Sequence, residues 1–325
     1  MKTSVLVTSA GSLPAVAVIK ALRAQCEVPL RIVGCDMARL ASGAFLVDDF
    51  GTVPPARSPG YVRALLKLAR RKGVRWIFPV MDEELLPLSR SRGAFERAGV
   101  GLIINNPRTV ALAKDKWKSY LYCRRQGIRV PNTERLDGRG FPRVGFPFLV
   151  KPRRGRGSAG VREIFDRAEW KAVRRRFRGW LAQSRVRGRE FTLDLVARPD
   201  GEVLGCIPRE RIVTKAGTSY KGATRRMPAL RHYAARIARA FGVDGPANVQ
   251  CIVRGGKIWF LELNPKFGTG LSLTAAAGVN VPLIHLKMAM GTCVTARALD
   301  FKHDLYMLRY WEEVFVDAGG RGVKP

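Results

Sequence analysis

The stretch KIWFLELNPKFGTG, Lys257–Gly270, starts as an apolar strand and ends in a carboxylate, an amide and a turn. Glu262 and Asn264 are two residues apart, so they lie on the same face of a strand. A strand that only fills a core needs no such polar pair at its end. The preceding segment, ANVQCIVR, carries Asn248 and Gln250 at the same spacing. Together the two segments predict a hairpin with its polar groups gathered on one face.

The loop of this hairpin decides whether the polar groups meet. Even-numbered residues of both strands share a side only if the loop holds an odd number of residues or a strand carries a bulge. The sequence RGGK favours a three-residue loop with a left-handed glycine. Odd-numbered residues would then form an apolar face on both strands. Oxygens of glutamine, glutamate and asparagine are ligands that Mg²⁺ prefers, and a hydrogen-bonded polar patch explains the same residues equally well.

Composition indicates a globular, multidomain protein. The chain has 325 residues, of which 46% are hydrophobic, enough for two or three domains. Six cysteines without a CxxC pair and only three histidines argue against a zinc site or a disulfide framework, and favour a cytoplasmic protein. No apolar run is long enough to cross a bilayer, and the N-terminal segment reads as a first strand and not as a signal peptide.

The charge is strongly positive, with 58 Lys and Arg against 26 Asp and Glu, a net +32. Such a surface attracts polyanions, including nucleic acids, without a dedicated motif. The basic residues are spread along the chain and form no nucleic-acid motif, which favours a solvated basic surface; an anionic or nucleic-acid partner is the alternative. The densest run, KAVRRRFRGW, Lys171–Trp180, predicts one basic helix.

The first hundred or so residues alternate strand and helix signals. Strands are predicted at SVLVTSAG, LRIVGCD, VRWIFPV and VGLIIN, and helices at LPAVAVIKALRAQ, GYVRALLKLARRKG and MDEELLPLSRSRGAFERAG. This alternation predicts a parallel sheet with right-handed crossovers. Gly73 is expected to cap the second helix.

Hairpin signals follow. FPFLVKPRRGRGSAGVREI predicts two strands around a glycine-rich tip, with Lys151 at the end of the first strand. A lysine there can neutralise a phosphate while loop N–H groups cover the others, although a plain surface hairpin has the same pattern. REFTLDLVARPDGEVLGCI predicts another hairpin, and ALRHYAARIARAFGVDG a helix capped near Gly242. The segment LYMLRYWEEVFV predicts an extra strand or hairpin docked on the sheet.

The order of these parts resembles the ATP-grasp superfamily, and most closely its carbamoyl-phosphate-synthase-like members. The likeness rests on Lys116 in DKWKSYLYCRRQGIRVPNT, Lys151 before its glycine-rich tip, Glu190 in VRGREFTLDLV, Gln250 in ANVQ, and LELNPKFGTG. RERIVTKAGTSYKG and GLSLTAAAGVNVP are also similar, so the resemblance covers nearly the whole chain. It implies an α/β and α+β fold: a parallel-sheet pre-ATP-grasp domain over 1–112, an ATP-grasp small lobe over 113–182, and a C-terminal lobe over 183–325.

The resemblance also implies roles for the matching residues. Lys116 and Lys151 would contact ATP phosphates, with Lys151 also near the adenine, and Glu190 would hold the ribose. The phosphate-covering loop would comprise Arg153, Gly155, Gly157, Ser158, Ala159 and Gly160, and the hinge at Gln183, Ser184 and Val186 would bind the adenine edge. Gln250, Glu262 and Asn264 would bind Mg²⁺, or alternatively Mn²⁺. Lys266 would lie where phosphate transfer occurs, and Arg209, Arg211 and Lys215 would face the acyl substrate.

Three features depart from the family pattern. Ser184 stands where relatives often have an acidic residue, and Lys266 stands where arginine is usual, which keeps the charge and loses the bidentate fork. The glycine-rich loop carries three extra arginines, Arg153, Arg154 and Arg156, which either bind an anionic substrate or are only solvated.

The function implied by the resemblance is an ATP- and Mg²⁺-dependent carboxylate–amine ligase that works through an acylphosphate and releases ADP and phosphate. The substrates would be small molecules or peptides, and a homodimer is expected. One alternative is activation of bicarbonate or another small acid. Another is a non-catalytic polyanion-binding protein on the same fold.

Overall fold

The computed structural model describes residues 2–138, 140–155, 157–317, 319 and 322–323. The N-terminal region is a parallel sheet, as predicted, but it has five strands where the sequence indicated four; their order is β3-β2-β1-β4-β5. Its strands are β1 (Thr3–Val7), β2 (Leu30–Asp36), β3 (Asp49–Thr52), β4 (Trp76–Phe78) and β5 (Gly101–Leu102). Its helices are α1 (Leu13–Arg23), α2 (Tyr61–Arg71), α3 (Asp82–Arg90), α4 (Arg92–Arg97) and α5 (Pro107–Ala113), and a 3-10 turn covers Ser42–Leu46.

The segment predicted as one helix after β4 is two helices, α3 and α4. The break lies at Ser91, whose backbone (φ −97°, ψ 7°) leaves the helical region. Ser91 and Gly93 are weak helix formers, so the sequence offers little resistance to the break. The predicted cap at Gly73 is confirmed by its positive φ of 62°.

The second region is a four-stranded antiparallel sheet with order β6-β9-β7-β8, entered through α6 (Lys116–Arg125). Its strands are β6 (Thr133–Arg135), β7 (Phe148–Lys151), β8 (Arg162–Ile164) and β9 (Leu181–Ser184). The hairpin β7–β8 is confirmed. Strand β9 runs across the boundary predicted between 182 and 183, and the three domain limits stay predictions.

The basic run Lys171–Trp180 is not one helix. Helix α7 (Arg167–Val173) ends within it, and a 3-10 turn covers Arg174–Phe177. The tighter turn brings Phe177 onto Trp170, with parallel rings 6.3 Å apart, inside the apolar core of this region. Packing of two large rings therefore overrides the helical pattern.

The third region is a six-stranded antiparallel sheet with order β14-β13-β10-β11-β12-β15. Its strands are β10 (Arg189–Ala197), β11 (Val203–Lys215), β12 (Thr218–Thr224), β13 (Ala247–Arg254), β14 (Lys257–Asn264) and β15 (Tyr306–Leu308). Its helices are α8 (Pro228–Phe241), α9 (Leu271–Ala276) and α10 (Val281–Ala289), with a 3-10 turn at Ala296–Leu299. Gly242 ends α8 with a φ of 67°, as predicted.

The C-terminal tail adds strands, as the sequence predicted. Strand β15 pairs with β12 at the edge of the large sheet. Two short strands, β16 (Phe315–Val316) and β17 (Gly322–Val323), pair with each other. No helix among the described residues is long and apolar enough to cross a membrane.

The two faces of the large sheet have different neighbours. Phe191, Leu193 and Leu195 of β10 pack under Leu230 and Ile237 of α8. Alternate residues of the same strand therefore point to the opposite face, which is the face that carries the polar residues of β13 and β14. A further core joins the N-terminal sheet and α1 to α9 and α10, so the first and third regions pack together.

Candidate active site

The polar residues of the β13–β14 hairpin lie opposite each other. Asn248 pairs with Asn264 and Gln250 with Glu262. The loop that joins the strands is not the three-residue loop expected from RGGK. Arg254 pairs directly with Lys257, and only Gly255 and Gly256 lie between them, with φ values of 52° and 69°. Two consecutive residues with positive φ are what a tight two-residue hairpin loop requires.

A bulge supplies the missing residue. The register shifts between Gln250 and Cys251, where Leu261 is the extra residue of β14. The expected apolar face of odd-numbered residues is therefore wrong on part of β14. Phe260 pairs with Cys251, is 2% exposed and belongs to the core, whereas Leu261 lines a cleft. The bulge turns Glu262 to the side of Gln250.

The hairpin brings together side chains whose oxygen atoms can ligate a metal, Asn248, Gln250, Glu262 and Asn264, and we call them the donor cluster. The Nδ2 atom of Asn264 is 3.2 Å from both Asn248 Oδ1 and Glu262 Oε1, and the other Glu262 oxygen is 3.8 Å from Lys116 Nζ. Within the described part of the chain, no group of three or more His, Cys, Asp or Glu residues could hold a metal by itself. One carboxylate with neighbouring amide oxygens fits a Mg²⁺ ion that is shared with phosphate oxygens. The residues therefore fit a magnesium–nucleotide complex.

A cleft of about 240 Å³ lies between the two antiparallel sheets, and we call it the inter-lobe cleft. It brings together most of the residues predicted to bind ATP, namely Lys116, Lys151, Gly155, Gly157, Ser158, Ala159, Gln183, Ser184, Val186 and Glu190, and it also contains Gln250 and Glu262. Its apolar walls are Pro131, Leu149, Val161, Ile252 and Leu261. Sequence reasoning missed these walls because apolar strand residues that line a cleft look like core residues.

Lys151 is held by a relay of side chains. Its Nζ donates to Gln183 Oε1 at 2.8 Å, and Gln183 Nε2 donates to Thr133 Oγ1 at 2.8 Å. Burial lowers the pKa of Lys151 to about 8, against the attraction of Glu262 and with a smaller contribution from Lys116. The amine is thus still protonated at neutral pH. The side chain of Gln183 orients this cation, a role that the sequence did not predict.

The base of the glycine-rich loop is tied to α6. Asp115 accepts hydrogen bonds from Trp117 N and Lys118 N at the start of that helix. The guanidinium of Arg153 binds the same carboxylate, with Nε 2.8 Å from Oδ1 and Nη2 2.7 Å from Oδ2. Lys116 Nζ donates to Gly155 O at 2.7 Å. Arg153 therefore anchors the loop and lies outside the cleft lining.

The remaining loop residues have varied positions. Gly160 has a φ of 77°, and a Cβ atom there would lie 2.9 Å from the ring of Trp180. Gly160 therefore packs against Trp180, the residue before β9, and does not line the cleft. Arg154 is exposed and lies 3.7 Å from Asp115. Arg156 lies outside the described residues.

A second cavity of about 420 Å³, the central cavity, adjoins the cleft and shares Gln250 and Glu262 with it. Its lining includes Thr192, Arg209, Arg211, Asn248, Asn264 and Lys266, and Ser12 and Asp82 from the N-terminal region. Lys266 Nζ is 2.6 Å from Asp82 Oδ2. This ion pair connects the motif after β14 to the start of α3, a contact that sequence reasoning missed because its partners are far apart in the chain.

The predicted catalytic arginines are both paired. Arg209 is 2% exposed and binds Asp194 through Nε at 2.8 Å and Nη2 at 2.6 Å. Arg211 Nε lies 2.8 Å from Glu190 Oε1, and burial raises the pKa of Glu190 although Arg211 opposes this. Lys215 lies at the end of β11, with Nζ 3.9 Å from the centroid of the Tyr220 ring. It is exposed and does not line the central cavity.

Two known families match the chain. Residues 5–103 match the family described as "PylC-like, N-terminal domain", and residues 176–312 match "ATP-grasp in the biosynthetic pathway with Ter operon". The chain is therefore similar to ATP-grasp proteins. The resemblance inferred from the order of its motifs is confirmed, as is the α/β and α+β fold.

Curated relatives of this chain are enzymes. The carbamoyl phosphate synthase large chain of Thermus thermophilus is 27% identical over 234 residues, 66% of this chain and 23% of the relative. The D-alanine–D-alanine ligase of Petrotoga mobilis is 26% identical over 208 residues, 58% of this chain and 70% of the relative. The chain thus spans less than a quarter of the first relative's length.

Solved structures share the fold. The biotin carboxylase domain dimer of Hydrogenobacter thermophilus 2-oxoglutarate carboxylase, in complex with MgADP, ADP and bicarbonate, superposes with a TM-score of 0.70. The alignment covers 100% of this chain and 84% of that chain, with 17% sequence identity. This likeness establishes the architecture alone.

Proposed function

We propose that this chain is an ATP- and Mg²⁺-dependent ligase that joins a carboxylate to an amine through an acylphosphate. The observation that carries the proposal is the position of Lys116, whose Nζ contacts both the glycine-rich loop, at Gly155 O, and the donor cluster, at Glu262. The cations that would bind phosphate and the oxygens that would bind the metal therefore meet in the inter-lobe cleft. The enzymatic relatives support the same conclusion.

Each part of the cleft has a role in holding the nucleotide. The apolar walls at Leu149 and Leu261 suit the adenine ring, and the backbone of the hinge at 183–186 suits its edge. Glu190 would accept hydrogen bonds from the ribose hydroxyls. Lys116 and Lys151 would neutralise phosphate charge, and loop N–H groups would cover the remaining oxygens.

Magnesium held by Gln250, Glu262 and Asn264 would supply further neutralisation of the triphosphate when bound. The chain's own residues then position the reactants. A carboxylate oxygen of the substrate attacks the γ-phosphorus, and the bond to the β–γ bridging oxygen breaks, so that ADP leaves. The amine nitrogen next attacks the acyl carbon, the carbon–oxygen bond breaks, phosphate leaves, and the amine loses one proton. Positioning and charge neutralisation account for most of such catalysis.

The central cavity would hold the acyl and amine substrates. It adjoins the phosphate end of the cleft, because both are lined by Gly157, Ser158 and Ala159. Its volume of about 420 Å³ suits a small molecule or a short peptide. We also propose that the chain forms a homodimer. In the same proposal the basic surface is only hydrated and binds no specific partner.

Activation of bicarbonate is the second candidate. It is favoured by the Thermus carbamoyl phosphate synthase and by the neighbour solved with bicarbonate. Joining a carboxylate to an amine is favoured by the D-alanine–D-alanine ligase, of which this chain covers 70%. The two candidates share the ATP site and differ in the acid that is activated.

The proposal is tested by ADP release. The protein is purified in high salt to remove bound polyanions, then incubated with MgATP and pools of amino acids, short peptides and small acids, including bicarbonate. We expect ADP formation that depends on one pool, and no turnover in Glu262→Gln. The matched control, Glu202→Gln, changes an exposed glutamate far from the cleft and should keep full activity.

Three results would contradict the proposal. Turnover that persists in Glu262→Gln would remove this residue from the metal site. Failure of the wild-type protein to bind MgATP by calorimetry would remove the ATP site altogether. ADP formation that depends only on bicarbonate would favour the second candidate over carboxylate–amine ligation.

A further inference from the structure

Thr192 of β10 carries a buried hydroxyl that the structure leaves without a partner. The residue is 3% exposed, and its Oγ1 has no hydrogen-bond partner among the described residues. Buried polar groups are normally hydrogen-bonded, because an unpaired donor loses its bonds to water on folding. The unpaired hydroxyl therefore suggests that a bound ligand completes its hydrogen bonding.

The position of Thr192 shows where such a ligand would lie. It pairs with Arg209 on one side and with Gln250 on the other, and Gln250 pairs with Glu262. Paired residues of neighbouring strands point to the same face. Thr192 therefore stands in the middle of a cross-strand row that lines the central cavity, between a buried cation and the metal-binding oxygens.

The cations of the same cavity already have partners. Both bonded nitrogens of Arg209 donate to Asp194, Arg211 donates to Gly217 O and Ser219 Oγ, and Lys266 is paired with Asp82. Each of these cations is therefore held by at least one partner before a substrate arrives. The hydroxyl of Thr192 is itself buried, so the side chain must rotate to present it to an incoming oxygen, and this rotation breaks no hydrogen bond.

We propose that the Thr192 hydroxyl donates a hydrogen bond to an oxygen of the phosphoryl group as this group passes from ATP to the substrate carboxylate. Thr192 is then a catalytic residue of the proposed ligase, and the inference rests on that proposed function. A donor directed at charge that develops during transfer lowers the barrier to that transfer. The unpaired state of the hydroxyl in the free protein is the stability cost of this role.

The variant Thr192→Val tests the inference, because valine has the same shape and lacks the hydroxyl. Ligand-free Thr192→Val should unfold at the same temperature as wild type or a higher one, since it removes an unpaired buried polar group. Its kcat should fall by about 100-fold, the effect typical of losing one such donor, while the KM for ATP changes little. Thr192→Ser keeps a hydroxyl and should retain most of the activity.

A binding measurement makes the result independent of the unidentified substrate. MgADP with aluminium fluoride mimics the phosphoryl group in transfer, and calorimetry gives its affinity for each variant. Thr192→Val should bind MgADP alone as wild type does and bind MgADP–aluminium fluoride more weakly. Thr192→Ser should bind both normally.

The other outcomes distinguish failure of this inference from failure of the ligase proposal. A lower unfolding temperature in Thr192→Val, restored by serine, shows a structural hydrogen bond instead. Unchanged affinity for MgADP–aluminium fluoride in Thr192→Val removes the phosphoryl contact, even if wild type proves to be a ligase. If wild type binds aluminium fluoride tightly but shows no ADP release with any pool, the ligase proposal fails by itself, and the comparison of variants still decides the role of Thr192. If wild type does not bind MgADP–aluminium fluoride, both proposals fail.

Discussion

Lys151 should make nucleotide affinity depend on pH near neutrality. Burial lowers the pKa of this lysine from an ordinary 10.5 to about 8. An anionic phosphate binds the protonated form, so the free protein must carry the proton to bind well. Affinity for MgADP is therefore nearly full at pH 7 and falls as the pH rises through 8, because a growing fraction of the free protein is neutral at this position.

The magnitude follows from the protonated fraction. With a pKa of about 8, roughly nine-tenths of the lysine is charged at pH 7 and about one-tenth at pH 9. The association constant should thus fall about tenfold between these values, equivalent to about 1.4 kcal/mol. Calorimetric titrations of MgADP at half-unit pH intervals, at constant ionic strength, give the profile.

Two variants separate this cause from others. Lys151→Arg keeps its charge throughout the range, so the decline between pH 7 and pH 9 should disappear. Gln183→Glu places a carboxylate where the neutral Oε1 accepts from Nζ at 2.8 Å, which raises the lysine pKa and should move the decline to higher pH. A wild-type profile that is flat to pH 9.5, or one that Lys151→Arg reproduces, would refute the reasoning.

Two buried carboxylates give further predictions. Asp194→Asn leaves the guanidinium of Arg209 buried without its counter-charge, so the free energy of unfolding should fall by about 3–5 kcal/mol in urea titrations. Combining Asp194→Leu with Arg209→Met should recover most of the lost stability. Full stability of Asp194→Asn would argue against the ion pair. Asp115→Ala removes the cap of α6 and the anchor of Arg153 and should cost about 1 kcal/mol. Burial raises the pKa of Asp115, but the hydrogen bond from Arg153 outweighs it, and the pKa is lowered overall. Wild type should therefore lose this stability only in acid, as the pH falls through that lowered pKa, and Asp115→Ala should lose less. Equal acid sensitivity of the two proteins would contradict this.

Much of the architecture could be read from local patterns. The alternation of strands and helices predicted the parallel sheet, and left-handed glycines such as Gly73 and Gly242 marked helix ends, because only glycine adopts a positive φ without strain. The polar pair Glu262 and Asn264 marked the donor cluster. Such signals depend on only a few neighbouring residues, so they can be recognised without knowing the rest of the fold.

Register and distant contacts were decided by the tertiary structure. A two-residue loop with a bulge at Leu261 replaced the expected three-residue loop, because cross-strand packing of Phe260 into the core fixes the register. Likewise Phe177 followed its ring contact with Trp170 and not the helical pattern.

The pairing of charges was also decided in three dimensions. The sequence analysis expected Lys215 to face the acyl substrate and did not single out Thr192. In the structure Lys215 lies outside the lining of the central cavity and Thr192 lies within it, because the packing of β11 and β10 decides both positions. The bond between Lys266 and Asp82 joins residues 184 positions apart. Local sequence determines which face a side chain takes along its own strand or helix, whereas the partner it meets depends on how those elements pack, and that is a property of the whole chain.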